Sequence, residues 1–135
     1  MSKSKKTSEY APATLKTIAD FLVEDYRFCR SFESAIKKVD NEELKKRYLS
    51  SYAFHSDRIK EFVGKAHLQI IIFDGVDYDE GLPVTPLNAD EFTYTDNLLV
   101  TQTIEPTILN ADSQHQNIIL HQGTAILSKK QSKEK

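Results

Sequence analysis

The sequence predicts an α+β protein. An N-terminal antiparallel helical hairpin precedes a small mostly-β C-terminal domain. Three observations predict this. Residues 15–39 place apolar side chains at alternating three- and four-residue steps. A second such run occupies 44–66, after a break at Asp40-Asn41. From Leu68 onward the helical period disappears, and β-branched runs alternate with Gly, Pro, Asp and Asn.

Residues 1–11 are rich in Ser, Lys and Thr and are expected to form a disordered tail. Pro12 suits a first helical position, and Thr14 is a second candidate cap. Leu15, Ile18, Leu22, Cys29, Phe32, Ile36 and Val39 then make one stripe, with Asp25 in its missing slot. Phe21, Phe28 and Ala35 lie beside it, and so wide a stripe fits a helix bundle better than a narrow two-stranded seam. Asp40 is the expected cap of the second helix, with Glu43 as its capping-box partner. That helix is expected over residues 42–66, with Leu44, Tyr48, Leu49, Tyr52, Ile59, Phe62, Val63 and Ala66 facing inward and His55 interrupting them.

A turn at residue 40 sets the facing pairs of the hairpin. Asp25 falls opposite His55, Leu22 opposite Ile59, Ile18 opposite Phe62, and Cys29 opposite Tyr52. The two polar interruptions either hydrogen-bond to each other or sit separately at the bundle edge in water.

The β-domain is expected over 67–128. Residues 67–73 read as a strand followed by an Asp74-Gly75 turn, and 74–97 as a loop-rich passage with some extended packing. Leu98–Thr103 reads as a strand, Pro106 as a kink or edge position, and Thr107–Leu109 as its continuation. Ala111–Gln116 reads as a hairpin loop, Asn117–Ser128 as one final strand, and 129–135 as a basic tail.

Composition narrows the function. Of the 135 residues 39% are hydrophobic and 28% charged, a soluble globular balance. A net charge of −2 and a pI near 6.1 argue against nucleic-acid binding, so the terminal lysines read as solubilising. Ile70–Phe73 is the longest apolar run and cannot cross a bilayer, so no membrane partner is expected. One cysteine, Cys29, excludes an internal disulfide and fits a reducing compartment, so a cytoplasmic location is expected.

Chemistry-bearing motifs are scarce. His55, His67, His115 and His121 have no zinc-ligand spacing. Asp25, Cys29 and His55 offer ligand types inside the bundle but lack a repeated Glu-x-x-His pattern, so packing is their expected role and no metal is expected. Asp74, Asp77, Asp79 and Glu80 do not follow the spacing of an EF-hand loop and read as solvated loop acids. No nucleophile triad, phosphate-cradling loop or dinucleotide fingerprint is present, so neither an enzyme nor a cofactor is expected. The chain reads as an interaction protein.

Two stretches resemble the GrpE nucleotide exchange factors of DnaK-type chaperones. The family's helices give way to a Gly-Val-x-x-Ile-x-x-x-Gly-x-x-Phe-Asp-Pro run. Here Leu68 takes the Val place, Ile71 the Ile, Gly75 the Gly, Tyr78 the Phe and Asp79 the Asp. His67 stands where Gly is usual and Glu80 where Pro is usual. The family also ends on Ile-Arg-x-Ala-x-Val-x-Val, and Leu120–Leu127 has the same rhythm, with His121 for Arg and Gly123 for Ala. The family's His-x-Ala after Phe-Asp-Pro is replaced by Pro83-Val84-Thr85, its Gly-Tyr by Ile104-Glu105-Pro106, and its long stalk helix is missing. The resemblance covers residues 15–128 in architecture but only short stretches in motif.

The resemblance implies a homodimer whose paired hairpins form a four-helix bundle and whose β-domain docks on a DnaK-type chaperone and releases its ADP. The dimer seam would draw on Phe21, Phe28, Phe32, Tyr48, Tyr52 and Ile59, a face too wide for one hairpin to cover. The partner-binding surface would draw on Val76, Tyr78, Leu82, Leu87, Phe92, Pro106 and His121. Each has β-domain core as its alternative role, the expected one for Tyr78 and Phe92. The alternative function is a non-catalytic dimeric adaptor that docks another protein through the same domain.

Overall fold

The computed structural model of the protein describes residues 12–111 and 118–131. The expected N-terminal tail, the hairpin loop over 112–116 and the last residues of the basic tail lie outside them. Two helices, α1 (Pro12–Ile36) and α2 (Glu42–Lys65), lead into six strands. These are β1 (Leu68–Ile71), β2 (Val84–Pro86), β3 (Leu98–Glu105), β4 (Thr107–Asn110), β5 (Ile118–His121) and β6 (Gly123–Lys129). The α+β layout is the one the periodicities predict.

The break between the helices falls where Asp40-Asn41 predicts, but the cap is Asn41. Its side-chain oxygen accepts the backbone N–H of Leu44 at 2.9 Å, three residues on, the reach of an N-cap. Asp40 lies one residue too early to do this. Glu42 and Glu43 in the first turn and Lys65 in the last suit the helix dipole.

Two sheets of three strands form the β-domain. The first has the order β1-β4-β5, and the second β2-β6-β3. β3 and β4 form one bent path, and β5 and β6 another. The two paths pair antiparallel, β4 with β5 in the first sheet and β3 with β6 in the second. Each changes sheets at a corner, β3–β4 at Pro106 and β5–β6 at Gln122. The final strand expected over 117–128 is therefore two strands. Pro106, with no N–H to donate, is fully buried at its corner. Gly123 passes so close that a Cβ there would lie 2.1 Å from the Glu105 carbonyl oxygen. Thr107, also fully buried, ties the corner together: its Oγ1 donates to the Pro83 carbonyl at 2.6 Å and accepts the Gly123 N–H at 3.0 Å.

β2, inside the expected loop, pairs parallel with β6. Asn88 continues the pairing with its side chain, donating to the Leu127 carbonyl at 3.0 Å and accepting the Leu127 N–H at 2.9 Å. Pro83 and Pro86 conceal this three-residue strand in the sequence, since proline is tolerated only at a sheet edge.

Leu15, Ala19, Leu22 and Val23 of α1 pack with Leu68 of β1 and Ile108 of β4 in one core. Phe73, Val84, Val100, Ala125 and Leu127 make a second core within the β-domain. Leu15, Ile18 and Leu22 of the wide α1 stripe thus serve the sheet rather than a helix bundle, together with Ala19 and Val23, which the stripe did not include. α2 has no buried residue; Ile59, Val63 and Ala66 only border the first core.

Candidate functional site

The hairpin folds back in the predicted register. His55 Nε2 lies 2.8 Å from Asp25 Oδ1, so the two polar interruptions meet. Toward the hairpin turn, the Phe32 ring contacts Tyr48 edge-on at 6.1 Å between centroids and Tyr52 at 6.4 Å. Tyr52 donates a long hydrogen bond to Glu33 of α1 at 3.4 Å. Cys29, one turn after Asp25, directs its thiol toward Asp25 Oδ2 at 3.8 Å. Donor atoms of Asp25, Cys29 and His55 all lie within 4.8 Å of one another.

This polar rung stands between two hollows. The larger, about 570 Å³, lies between the helices and β1 and has Leu22, Ile59, Val63, Leu68 and Ile70 in its walls. The smaller, about 220 Å³, lies toward Phe28 and Phe32. All three rung residues line both. Burial raises the Cys29 thiol above its usual range, and the Asp25 carboxylate raises it further, so the sulfur is a protonated thiol at neutral pH. Tyr52 is raised by burial and then by Glu33.

The six residues of the proposed seam divide. Phe21 and Phe28 are each 67% exposed, and Tyr48 is also exposed. Phe32 and Tyr52 are half-buried against each other, while Ile59 borders the first core. Phe54 and Phe62 also stand exposed on α2, with the Arg58 guanidinium over both rings. The apolar period of α2 puts Phe62 inward and gives Phe54 no place.

The β-domain candidates divide as well. Val76 and Leu87 are exposed. Tyr78, Leu82 and Phe92 pack against the second core, the role expected for Tyr78 and Phe92. Pro106 has no accessible surface to offer a partner, because the corner it forms is closed by Thr107 and Gly123. His121 is half-buried, with Nε2 3.0 Å from Glu105, whose other oxygen lies 3.8 Å from Arg27 of α1. It therefore belongs to a contact between helix and sheet. Tyr94, 96% exposed beside a groove bordered by Tyr78, Phe92 and Leu98, escaped the sequence reading. Its signal was a lone aromatic inside the polar loop Thr93-Tyr94-Thr95-Asp96.

The loop acids are mostly structural. Asp74 accepts the Thr103 N–H at 2.6 Å and faces Arg30 of α1 at 3.5 Å. Asp79 accepts the Gly81 N–H at 2.6 Å, and Asp77 pairs with Lys130 at 3.2 Å. No helix among the described residues is long and apolar enough to cross a membrane.

No family model, curated protein or solved structure matches this chain.

Proposed function

We propose that this chain is a GrpE-like exchange factor, a non-catalytic protein that docks on the nucleotide-binding domain of a DnaK-type chaperone and promotes ADP release. The observation that carries the reading lies at the handover from α2 to β1. Among the described residues, His67 (φ 58°) and Gly75 (φ 82°) are the two with positive φ. Both fall on glycine places of the resembled motif. Left-handed backbone favours glycine, so a motif with Gly at those two places suits this chain's backbone. The apolar places agree: Leu68 enters the first core, and Ile71 and Tyr78 pack against the second.

The mechanism is differential binding. A factor that prefers the open state of the chaperone lowers its nucleotide affinity by linkage, and no bond is made or broken. Val76, Leu87 and Tyr94 supply the exposed apolar contacts on the β-domain. A second copy of the chain covers Phe21, Phe28 and Tyr48, large apolar side chains that a lone chain leaves in water.

The test is ADP release from a DnaK-type chaperone, followed with a fluorescent nucleotide. The expected result is an acceleration that saturates with added protein. A Val76→Ser/Leu87→Ser double variant that keeps its circular dichroism spectrum should lose it. No acceleration by a chain that light scattering finds dimeric would sink the exchange reading and leave the adaptor reading in its place.

A further inference from the structure

We propose that Asp25, Cys29 and His55 form a divalent transition-metal site of the zinc type, clamping α1 to α2 and leaving one coordination position open to the cleft. The inference is independent of any chaperone partner.

Three donor types converge from two helices. Asp25 and Cys29 are one turn apart on α1, so they project from the same face. His55 comes from α2 directly opposite. The carboxylate is the middle member, with Oδ1 toward the imidazole at 2.8 Å and Oδ2 toward the thiol at 3.8 Å. Tetrahedral zinc takes N and O ligands at about 2.0–2.2 Å and S at about 2.3 Å, which separates donor atoms by roughly 3.3–3.6 Å. The spacings of 2.8 and 3.8 Å lie on either side of that range, and all three donors fall within 4.8 Å of one another, so closing the shell draws the thiol and the imidazole toward a common centre.

The donor set matches the metal. One thiolate, one imidazole and one carboxylate are the ligand types zinc takes, whereas calcium and magnesium prefer oxygen alone. On binding, the Cys29 proton leaves to solvent and the imidazole proton resides on Nδ1, so that Nε2 presents its lone pair. The two anionic donors then balance the double charge of the cation. Three protein ligands leave the fourth position for water or an exogenous donor, and the hollows on either side give access to it.

The surroundings favour a site over ordinary packing. Asp25 and His55 interrupt two otherwise apolar stripes, where a polar group needs a partner. The hydrogen bond between Asp25 and His55 supplies one for those two residues. It leaves unexplained why the third position is a cysteine aimed at the same carboxylate. Side-chain exposure of 18% at Asp25 and 47% at His55 gives partial shelter with an open entry path.

The experiment is titration of the full metal-free chain with Zn²⁺ and with Co²⁺ as a spectroscopic stand-in. The expected result is one Co²⁺ per chain, with tetrahedral visible bands and a thiolate-to-metal charge-transfer band in the near ultraviolet. Cys29→Ser should abolish the charge-transfer band. Asp25→Asn and His55→Ala should each weaken binding at least about tenfold, the scale that even an outer-sphere change imposes. His67→Asn, which tolerates the left-handed backbone, should bind as the unaltered chain does. Circular dichroism of each variant without metal verifies its fold. The proposal is overturned if no saturable binding occurs below about millimolar metal. It is equally overturned if binding and its charge-transfer band persist in Cys29→Ser, or if His67→Asn loses binding while His55→Ala keeps it.

Discussion

Gly123→Ala tests whether the corner of the β-domain is as tight as its geometry requires. The new Cβ would lie 2.1 Å from the Glu105 carbonyl oxygen, 2.7 Å from the Pro106 carbonyl carbon and 2.9 Å from the Pro106 oxygen. All three are backbone atoms of the partner path, so no side chain can swing aside. Pro106 and Thr107 are fully buried there, and Thr107 Oγ1 bonds to both Pro83 and Gly123. Relief therefore means prising apart two paired strands at the point where both change sheets. Overpacking a core costs about 1–3 kcal/mol, and a backbone clash this close belongs at the upper end, about 3 kcal/mol. With a urea m-value of about 1–3 kcal/mol/M, the unfolding midpoint should fall by roughly 1–3 M. For a domain of this size the corresponding fall in Tm is on the order of 10 °C. The assay is urea denaturation followed by circular dichroism. A midpoint within about 0.3 M of the unaltered chain, at unchanged m, would refute the reasoning.

Two further outcomes follow from local geometry. His67 holds φ 58° immediately after α2, so His67→Gly should stabilise the chain by about 0.5–1 kcal/mol, the left-handed strain relieved less the entropy glycine adds to the unfolded state; thermal unfolding measures it, and a lowered Tm would contradict it. Burial, with Glu80 and Asp79 nearby, raises the Tyr78 hydroxyl above its ordinary value of 10.0. Its contribution to stability is therefore complete below pH 10 and lost as pH climbs through the raised value, because the unfolded chain releases that proton first. Tyr78→Phe should flatten the alkaline fall in stability, and an unchanged pH profile would reject the assignment.

The helical half was legible because its period is long and its partner is local. A turn at Asp40-Asn41 fixes which residues face each other, and Asp25–His55 and Phe32–Tyr48 both obey that register. What periodicity could not say is which body covers the stripe. Leu15 and Leu22 answer to Leu68 and Ile108, contacts with residues far along the chain. The β-half was legible in its proline and glycine punctuation but not in its pairing. Val84–Pro86 is too short and proline-rich to announce itself, and it becomes a strand because β6 offers a free edge beside it. The break at Gln122 was hidden for a related reason. Ile118–Leu120 and Ile126-Leu127 are apolar and strand-like on either side of it, and the corner arises where Gly123 meets Pro106. The resembled family has Ala at this place, which this corner has no room for, so the likeness holds in rhythm and not in local packing.

The two functional readings converge on α2. α1 is fixed to the sheet by four buried side chains and by its polar contacts with Asp74 and Glu105. α2 buries none, and an isolated helix of its length is marginal in water. It is held at one end by the Phe32, Tyr48 and Tyr52 rings, at the other by Ile59, Val63 and Ala66, and between them by the Asp25–His55 rung. The larger hollow lies beside that rung, between the two helices and β1. A metal at the rung would favour one position of α2, and a second copy against Tyr48 and Phe28 would likewise favour one. If those positions coincide, linkage requires that each strengthen the other by the same factor. In that case the metal that sets the helix would also set the aromatic face offered to a second copy.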